Sequence, residues 1–254
     1  MKHAAPPDIL LQASGLHKSY PGGAKVLGGI DLDLHRGERV ALIGANGSGK
    51  STLLKCLLGL HDLSGGAVTS FGERFERAPS RAQRTRIRQK TGFVFQQHCL
   101  VRRRTVLCNV LHGLLGDPGS WRGFSHMTAR ADWRVRAMAA LDDVGLADKA
   151  EARADALSGG QQQRVAIARA LVRGPELILA DEPVASLDPA AGRSVMELFS
   201  GLCLRRGITM VFTSHNMAHL ADYADRVVAL RGGRVLFDKP AAAVGEADLE
   251  RTFA

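Results

Sequence analysis

The chain has 254 residues, of which 45% are hydrophobic and 23% are charged, with 28 glycines and 5% aromatic residues. This balance is typical of a globular α/β protein and excludes a disordered or fibrous chain, and a chain of this length can bury a core without disulfides. The formal net charge of +9 suits an anionic partner, but charge alone does not distinguish nucleic acid or lipid from a solvated surface.

The amino-terminal sequence MKHAAPPDILLQ has three consecutive apolar residues before a glutamine. That run is too short for the core of a signal peptide, and no window approaches the roughly 18 apolar residues of a membrane-spanning helix. We therefore expect a chain that is neither secreted nor membrane-spanning, with any membrane role supplied by a partner. The scattered cysteines form no CxxC pair and are expected to be reduced thiols.

The first part of the chain is predicted to be rich in β-structure. Apolar and polar residues alternate between Lys25 and Val40, as in half-buried antiparallel strands, and VALIG then reads as a short buried strand ending in glycine. Helical periodicity begins at Ser51 and ends near Gly59, and GGAVTSFGE suggests a further hairpin. A strand, a glycine loop and a helix in this order begin an α/β core.

The loop between this strand and helix, GANGSGKST, matches the phosphate-binding pattern G-x-x-x-x-G-K-[ST]. Its glycines let consecutive backbone N–H groups curl around an anion, and the helix adds the partial positive charge of its amino terminus. Lys50 is predicted to reach the β- and γ-phosphates of a nucleotide, and Ser51 to ligate Mg²⁺. The predicted nucleotide-binding residues of the loop are Gly44, Ala45, Asn46, Gly47, Ser48, Gly49, Lys50, Ser51 and Thr52.

Two arginine-rich segments follow the loop. The first is RAQRTRIRQK at 81–90, and the second comprises Arg102, Arg103 and Arg104. Such runs occur on surfaces that bind nucleic acid or anionic lipid, but they are also typical of solvated helices and turns. We predict no nucleic-acid partner, and the three consecutive arginines are equally compatible with a solvated turn and with a contact to a partner protein.

From about 97 to 160 the composition shifts to arginine-rich and alanine-rich pieces compatible with helices, which we interpret as a helical insertion in a single domain covering 1–254. At its end, LSGGQQQRVAIARAL combines two glycines, three glutamines and an apolar helical stripe. The glycines allow a backbone to approach a phosphate closely, and the Ser158 hydroxyl can donate to it at a helix amino terminus. A polar helix cap is the alternative, but it explains Ser158 without explaining the glycines and the glutamine.

Two later apolar runs, ELILADEP and ITMVFTSHN, are bounded by helices, as expected of a parallel sheet covered on both faces. The first run ends in Asp181 and Glu182. Asp181 is predicted to hold a metal ion through water, and Glu182 to act as the general base for an attacking water. The acidic pair therefore predicts nucleotide hydrolysis rather than binding alone. A hairpin that turns at Gly232 and Gly233 is predicted near the end of the chain.

The segments GANGSGKST, LSGGQ, LILADEP, SLD and TSH resemble, in order and approximate spacing, the motifs of an ATP-binding-cassette (ABC) ATPase, and the resemblance covers nearly the whole chain. It implies a P-loop NTPase core with a mixed sheet flanked by helices, an amino-terminal antiparallel β-lobe and an inserted helical lobe. It also implies ATP and Mg²⁺ as cofactors and a head-to-tail homodimer, in which the LSGGQ segment of one subunit closes over ATP held by the other. The residues assigned to this closing segment are Ser158, Gly159, Gly160 and Gln161.

The same resemblance assigns further residues individually. Tyr20 is placed to stack on adenine, although strand packing would also explain it. Gln96, which is adjacent to Gln97, resembles the glutamine that senses Mg²⁺ and the attacking water. His215 would contact the γ-phosphate, with a core histidine as the alternative, and Asp188 would link the two sites across the dimer.

Segments that include VLCNVLHGLLG and ALDDVGLADKA look most like the ATPases of phosphonate importers. This implies an ATP-hydrolysing subunit at the cytoplasmic face of the cell membrane, bound to permease subunits and, through them, to a periplasmic binding protein. Cys108 departs from this pattern because it stands where the subfamily usually has glutamate, and the segment after His215 also differs. The alternatives are another importer cargo and a single-cassette ATPase for cell division or lipoprotein extraction. ATPases of translation or DNA repair carry a second cassette or long insertions that this chain lacks.

Overall fold

The computed structural model of the chain describes residues 8–23, 25–115, 129–214 and 220–253. These residues form two compact units. The first comprises the described parts of 1–88 and 207–254, and the second comprises the described parts of 89–206. Within these ranges, no helix combines the length and the apolar character that crossing a membrane requires.

The described residues contain ten β-strands. They are β1 (Ile9–Ser19), β2 (Lys25–His35), β3 (Arg39–Ile43), β4 (Gly65–Ser70), β5 (Glu73–Phe75), β6 (Thr91–Val94), β7 (Leu177–Ala180), β8 (Thr209–Thr213), β9 (Arg226–Arg231) and β10 (Arg234–Pro240). The same residues contain eight α-helices. They are α1 (Lys50–Leu57), α2 (Arg81–Lys90), α3 (Val106–Leu111), α4 (Ala131–Asp143), α5 (Gly159–Leu171), α6 (Pro189–Arg206), α7 (Leu220–Tyr223) and α8 (Glu246–Phe253).

An antiparallel sheet in the first unit has the strand order β2-β1-β4-β5. In its longest pair, Leu11 lies opposite Leu34 and Leu16 opposite Ile30, and all four side chains are buried. Many of the residues between them are partly exposed, because successive side chains of a strand point to opposite faces. The predicted antiparallel lobe is therefore confirmed, and β4 and β5 form the predicted GGAVTSFGE hairpin.

The first unit also contains four strands of a mixed sheet, in the order β10-β9-β3-β8. β3 runs parallel to both of its neighbours, β8 and β9. Because both of its faces are covered, its residues from Val40 to Ile43 are apolar and fully buried. β9 and β10 form an antiparallel hairpin that turns at Gly232 and Gly233, as predicted.

The second unit contains the parallel pair β6 and β7 together with helices α3 to α6. α3 packs against α4 and α5, and the stretch Val165–Ala168 of α5 is buried. Within the segment at about 97–160 that was predicted to be helical, α3 and α4 are helices, 97–105 form no helix, and 116–128 lie outside the described residues. That residues 1–254 form a single domain remains a prediction.

The basic segment at 81–90 forms α2, in which Ile87 is the buried residue. The guanidinium of Arg86 donates to both carboxylate oxygens of Glu73, at 2.5 and 3.0 Å, which ties the helix to β5. This hydrogen bond lowers the pKa of Glu73. Most of the remaining basic side chains of α2 are exposed, as on a solvated helix face.

The start of β3 is fixed by Arg39 and Asp225, which lie at the starts of neighbouring strands. Asp225 accepts hydrogen bonds from the backbone N–H of Arg39 at 2.9 Å and from its guanidinium Nη2 at 2.6 Å. The Asp225 backbone N–H donates in turn to the Arg39 carbonyl at 2.8 Å. The guanidinium hydrogen bond lowers the pKa of Asp225 below its usual value. This contact holds in place the strand that leads directly into the loop at 44–52.

We predict that Asp225→Asn lowers the free energy of unfolding by about 1 kcal/mol at pH 7, because a charge-assisted hydrogen bond is lost at a half-exposed position. A carboxylate whose folded pKa is lowered stabilises the protein above its unfolded pKa of about 3.9 and loses that effect as pH falls through the folded pKa. The difference between wild type and variant, measured by urea unfolding, is therefore expected to shrink below about pH 4. Glu250→Gln, at an exposed carboxylate of α8, is the control. A difference that persists unchanged to pH 3 would contradict the assignment to the ionised carboxylate.

Candidate functional site

The loop at 44–52 leaves β3 through backbone that has little room for side chains. Gly44 has a φ of +151°, and a Cβ placed there would lie 2.3 Å from the carbonyl oxygen of Leu230 and 2.6 Å from Ser48 Oγ. Gly49 is the N-cap of α1 with a φ of +104°, and its Cβ would lie 2.7 Å from Leu27 Cδ2. Glycine is therefore required at both ends of the turn by backbone conformation and by space.

The side chain of Lys50 folds back over this loop and is 5% exposed. Its ammonium donates to the carbonyl oxygens of Gly44 at 2.7 Å and Ala45 at 3.0 Å. The hydroxyl of Ser48 is buried and has no hydrogen-bond partner among the described residues. A buried cation and an unsatisfied hydroxyl beside a glycine turn and a helix amino terminus fit a phosphate group.

Tyr20 follows directly after the end of β1, and 36% of its surface is exposed. Lys18 Nζ lies 4.8 Å from the centre of its ring, and the ring of His61 meets it edge-on, with centroids 6.0 Å apart. The strand-packing alternative requires a buried ring within a strand, but Tyr20 lies outside β1 and is partly exposed. A partly exposed ring is compatible with stacking on a flat ligand.

In the second unit, β7 ends immediately before Asp181 and Glu182. Asp181 is buried, and its backbone N–H donates to the carbonyl of Val94 at 2.9 Å. Glu182 has a φ of +47°, a left-handed conformation that costs a residue other than glycine about 1 kcal/mol or more. Gln96 Nε2 donates to Glu182 Oε2 at 3.0 Å. The structure thus brings together two of the predicted catalytic residues, and it is Gln96 rather than Gln97 that makes this contact.

The LSGGQ segment begins α5 with Ser158 as the N-cap. Ser158 Oγ accepts from the backbone N–H of Gln161 at 3.3 Å, and Gln161 Oε1 accepts from the backbone N–H of Ser158 at 3.1 Å, which is a capping box. A Cβ at Gly159 would lie 3.3 Å from Leu187, whereas one at Gly160 would make only ordinary contact. Helix capping therefore accounts for both Ser158 and Gln161. The sequence argument had considered a cap for Ser158 but had not foreseen that Gln161 takes part in it. Gly160 is left without a structural requirement.

Asp188 lies at the start of α6 and is exposed. Its Oδ1 accepts from the backbone N–H of Ala191 at 2.9 Å, so the carboxylate caps the helix. The role predicted for Asp188 across a dimer remains a prediction. His215 lies outside the described residues, and its predicted contact with a γ-phosphate remains a prediction too.

The segment at 97–105, which we call the arm, follows Gln96 and is held by two side chains that the sequence argument did not select. The guanidinium of Arg169, on α5, donates to the carbonyls of His98 at 2.9 Å and Cys99 at 2.7 Å. Asn109 is fully buried, and its amide bonds Val101 in both directions, at 2.7 and 3.2 Å. The sequence does contain a signal that could have identified Arg169 and Asn109. Each is a polar residue within an apolar helical stripe, the arginine in AIARAL and the asparagine in VLCNV.

Asn109 thereby fixes the turn that carries Arg102, Arg103 and Arg104. All three arginines are exposed. The backbone of this turn is also bonded to the segment before α5, since the N–H groups of Ala154 and Asp155 donate to the carbonyls of Arg104 and Arg102, each at 3.0 Å. The turn is well anchored, and its side chains remain available to solvent or to a partner.

No group of three or more His, Cys, Asp or Glu side chains that could enclose a metal ion occurs within the described residues. Mg²⁺ is usually bound by one or two protein oxygens together with substrate phosphates and water. The roles predicted for Ser51, Gln96 and Asp181 toward Mg²⁺ remain predictions.

Comparison with known proteins gives a family match. Residues 27–185 match the family model described as ABC transporter. The chain is 48% identical over 235 residues to the phosphonates import ATP-binding protein PhnC of Nocardia farcinica, covering 92% of this chain and 87% of that protein. It is 45% identical over 249 residues to the phosphate-import ATP-binding protein PhnC of Mycolicibacterium smegmatis, covering 98% of this chain and 94% of that protein.

Solved structures show the same architecture. A dimeric post-hydrolysis state of the ATP-binding cassette MJ0796, bound to ADP and Pi, is 32% identical, with a TM-score of 0.77 and coverage of 91% of this chain and 98% of that one. The protein cbiO1 of Clostridium perfringens, part of the ABC transporter complex cbiONQ, is 30% identical, with a TM-score of 0.80 and coverage of 96% and 94%. The predicted fold class is therefore confirmed.

We predict that Gly44→Ala destabilises the protein by at least about 1 kcal/mol more than Gly47→Ala, because the new methyl group would overlap the Leu230 carbonyl. Gly47 is a matched control in the same loop: its φ is +79°, but a Cβ there would meet nothing within 4 Å. Urea unfolding measures the difference, and titration with a fluorescent ATP analogue is expected to show weaker binding by Gly44→Ala. Equal stability of the two variants would show that the loop shifts without cost and would contradict the steric argument.

Proposed function

The chain belongs to the ABC transporter family, since the family model covers more than half of it, and we propose that it is the ATP-hydrolysing subunit of an importer for phosphonates or related phosphorus oxyanions. The observation that carries the proposal is the 48% identity to a phosphonates import ATP-binding protein over 92% of this chain. The aligned region includes the helical lobe, where importers differ, as well as the shared phosphate-binding motifs.

ATP is the nucleotide, and the loop at 44–52 holds its phosphates with backbone N–H groups and the ammonium of Lys50. In the structure this ammonium is satisfied by the carbonyls of Gly44 and Ala45, so phosphate oxygens would replace those neutral acceptors. Tyr20 stacks on the adenine. Ser51, Gln96 and Asp181 hold Mg²⁺, which when bound neutralises charge on the phosphate oxygens.

Glu182 accepts the proton of the attacking water as general base. Two features prepare it for this role. Its left-handed backbone turns the residue away from the direction of β7, and the amide of Gln96 holds its carboxylate at 3.0 Å. The Gln96 amide also couples the orientation of the base to the arm at 97–105. His215 is proposed to contact the γ-phosphate of ATP.

The chain has one phosphate loop and one LSGGQ segment. A head-to-tail homodimer would therefore form two equivalent composite sites, each closed by Ser158, Gly159, Gly160 and Gln161 of the opposite subunit. The exposed α5 amino terminus supports this, because its backbone N–H groups and its partial positive charge suit the γ-phosphate. Gly160 permits close approach without a packing role of its own, and Asp188 is proposed to link the two sites.

Coupling to transport requires partners, because the described part of the chain has no membrane-crossing helix. We place the subunit at the cytoplasmic face of the cell membrane, where it binds permease subunits and acts through them with a periplasmic binding protein. The anchored arm after Gln96 and the helical lobe form the surface suited to transmit ATP-driven movement. The exposed arginines at 102–104 lie on this arm.

The cargo class follows from the pair of similar relatives. Their names assign phosphonates to one and phosphate to the other, at 48% and 45% identity to this chain. Both cargoes are tetrahedral phosphorus oxyanions, so the two relatives support this class of cargo rather than one particular compound. No residue of an ATPase subunit needs to touch the cargo, and fold by itself does not specify it.

We predict that Glu182→Gln retains ATP binding while hydrolysis falls by about 100-fold or more, because the amide preserves shape and removes the base. The variant is expected to remain dimeric with ATP and Mg²⁺ in size-exclusion chromatography. Lys50→Ala is expected to lose hydrolysis through loss of phosphate binding while keeping its fold. Glu197→Gln, an exposed carboxylate of α6, is the matched control. Normal hydrolysis by purified Glu182→Gln would show that Glu182 is not the base.

We also predict that the complex reconstituted with its permease and binding protein imports phosphonate, phosphite or phosphate in an ATP-dependent manner. Uptake is measured across a panel that also contains amino acids and metal ions, and complexes carrying Lys50→Ala or Glu182→Gln are the inactive controls. Stimulation only by a solute without phosphorus would overturn the cargo class, and absence of any permease partner would overturn the importer proposal.

A further inference from the structure

A cavity of about 270 Å³ opens in the second unit beside β6. Its lining includes Thr91 and Phe93 of β6, His112 and Gly113 after α3, Arg169 of α5, and Arg173, which lies two residues after the end of α5. None of the residues that line it within the described part of the chain is an aspartate or a glutamate. The lining residues that the structure describes thus include two arginines and a histidine, and no acidic residue is among them.

The positive charge of Arg169 is held by neutral groups. Within the described residues, its hydrogen bonds go to the carbonyls of His98 and Cys99. A guanidinium has about five N–H donors, so others remain for a ligand. Burial lowers the pKa of Arg169, which shows that its charge is poorly solvated. A partly buried cation of this kind gains from an anionic partner.

The neighbouring groups increase the positive potential. Arg173, which also lines the cavity, donates hydrogen bonds to the carbonyls of Gly113 at 3.2 Å and Leu115 at 3.0 Å. Burial, Arg169 and Arg104 together lower the pKa of His112. The thiol of Cys108 lies 3.7 Å from His112 Nε2, and burial raises the pKa of that thiol, so it contributes no negative charge at neutral pH.

We propose that this cavity is a binding site for a small tetrahedral oxyanion of phosphorus, held by Arg169 and Arg173 and located outside the nucleotide site. Planar guanidinium groups bind such oxyanions through paired N–H donors, and two of them four residues apart can hold different oxygens of the same ligand. The cavity volume exceeds that of phosphate or methylphosphonate. The choice of phosphorus oxyanions rests on the proposed function, since the importer delivers that class to the side of the membrane where the ATPase lies.

Occupancy of the site acts on hydrolysis through Arg169. This guanidinium holds the carbonyls of His98 and Cys99, which closely follow Gln96, and Gln96 holds the Glu182 carboxylate. A bound oxyanion attracts the guanidinium of Arg169 through its remaining N–H donors, weakens its bonds to the two carbonyls and thereby loosens the arm. The ATPase thereby senses accumulated cargo and slows.

The direct test is calorimetric titration of the full chain, saturated with Mg²⁺ and a non-hydrolysable ATP analogue so that the phosphate loop is filled. Methylphosphonate is expected to bind once per chain, and Arg173→Gln is expected to weaken binding by about tenfold or more. Arg134→Gln, at an exposed arginine of α4, is the matched control and is expected to bind like wild type. Equal affinity of the Arg173→Gln and wild-type chains would overturn the proposal.

The other ligands of the titration distinguish the sources of an anion. Binding of phosphate without methylphosphonate would identify the product of ATP hydrolysis and overturn the assignment to cargo. Equal binding of sulfate would overturn selectivity for phosphorus, and binding of acetate alone would point instead to an acidic side chain of a partner. These results are independent of transport, so a failed uptake assay with intact binding would count against the proposed function and not against the site.

Two readouts locate the ligand and its effect. By NMR, methylphosphonate is expected to raise the pKa of His112, because a nearby anion stabilises the imidazolium, and to leave His61 in the first unit unchanged. In steady-state assays it is expected to lower ATP hydrolysis at least twofold in wild type and Arg134→Gln, with Arg173→Gln unaffected. An unshifted His112 would overturn the site, and an unchanged rate in wild type with the ligand bound would overturn the link to Gln96.

Discussion

The phosphate loop depends on backbone that passes where no side chain fits. A Cβ at Gly44 would overlap the carbonyl of Leu230 on β9, which pairs in parallel with β3. With the two strands in this register, the first residue of the loop must therefore be glycine. The ion pair of Arg39 with Asp225 fixes that register at the opposite end of the two strands. Strand pairing, loop shape and the position of the Lys50 ammonium are thus parts of one constraint.

The turn of the carboxy-terminal hairpin meets the same requirement from another direction. Gly233 has a φ of +73°, and a Cβ there would lie 2.2 Å from the carbonyl of Val26 on β2. The Gly28 N–H donates to the Gly233 carbonyl at 2.7 Å. The first unit therefore joins its antiparallel and mixed sheets through close backbone contact, which fixes the strands on either side of the loop.

In the second unit, Gln96 is followed by the arm at 97–105, which contains no helix or strand. Buried Asn109 and the guanidinium of Arg169 hold this arm, and Glu182 beside it has a positive φ and accepts a hydrogen bond from Gln96. Strain and buried polar contacts persist only where the surrounding structure enforces them. Because Arg169 both anchors the arm and lines the cavity, an anion in that cavity would act on the segment next to Gln96, whose amide holds the Glu182 carboxylate.

Local sequence determined those features that depend on short-range pattern. Alternation predicted half-buried antiparallel strands, and the apolar run VALIG predicted a short buried strand. GANGSGKST and LILADEP predicted a glycine-rich loop and two carboxylates at strand ends, because each signal is contained within a few neighbouring residues. Tertiary structure decided the rest. The capping role of Gln161, the contact between Gln96 and Glu182, and the convergence of His112, Arg169 and Arg173 on one cavity join residues from different elements. Such contacts depend on how helices and strands pack, and no local pattern encodes that packing.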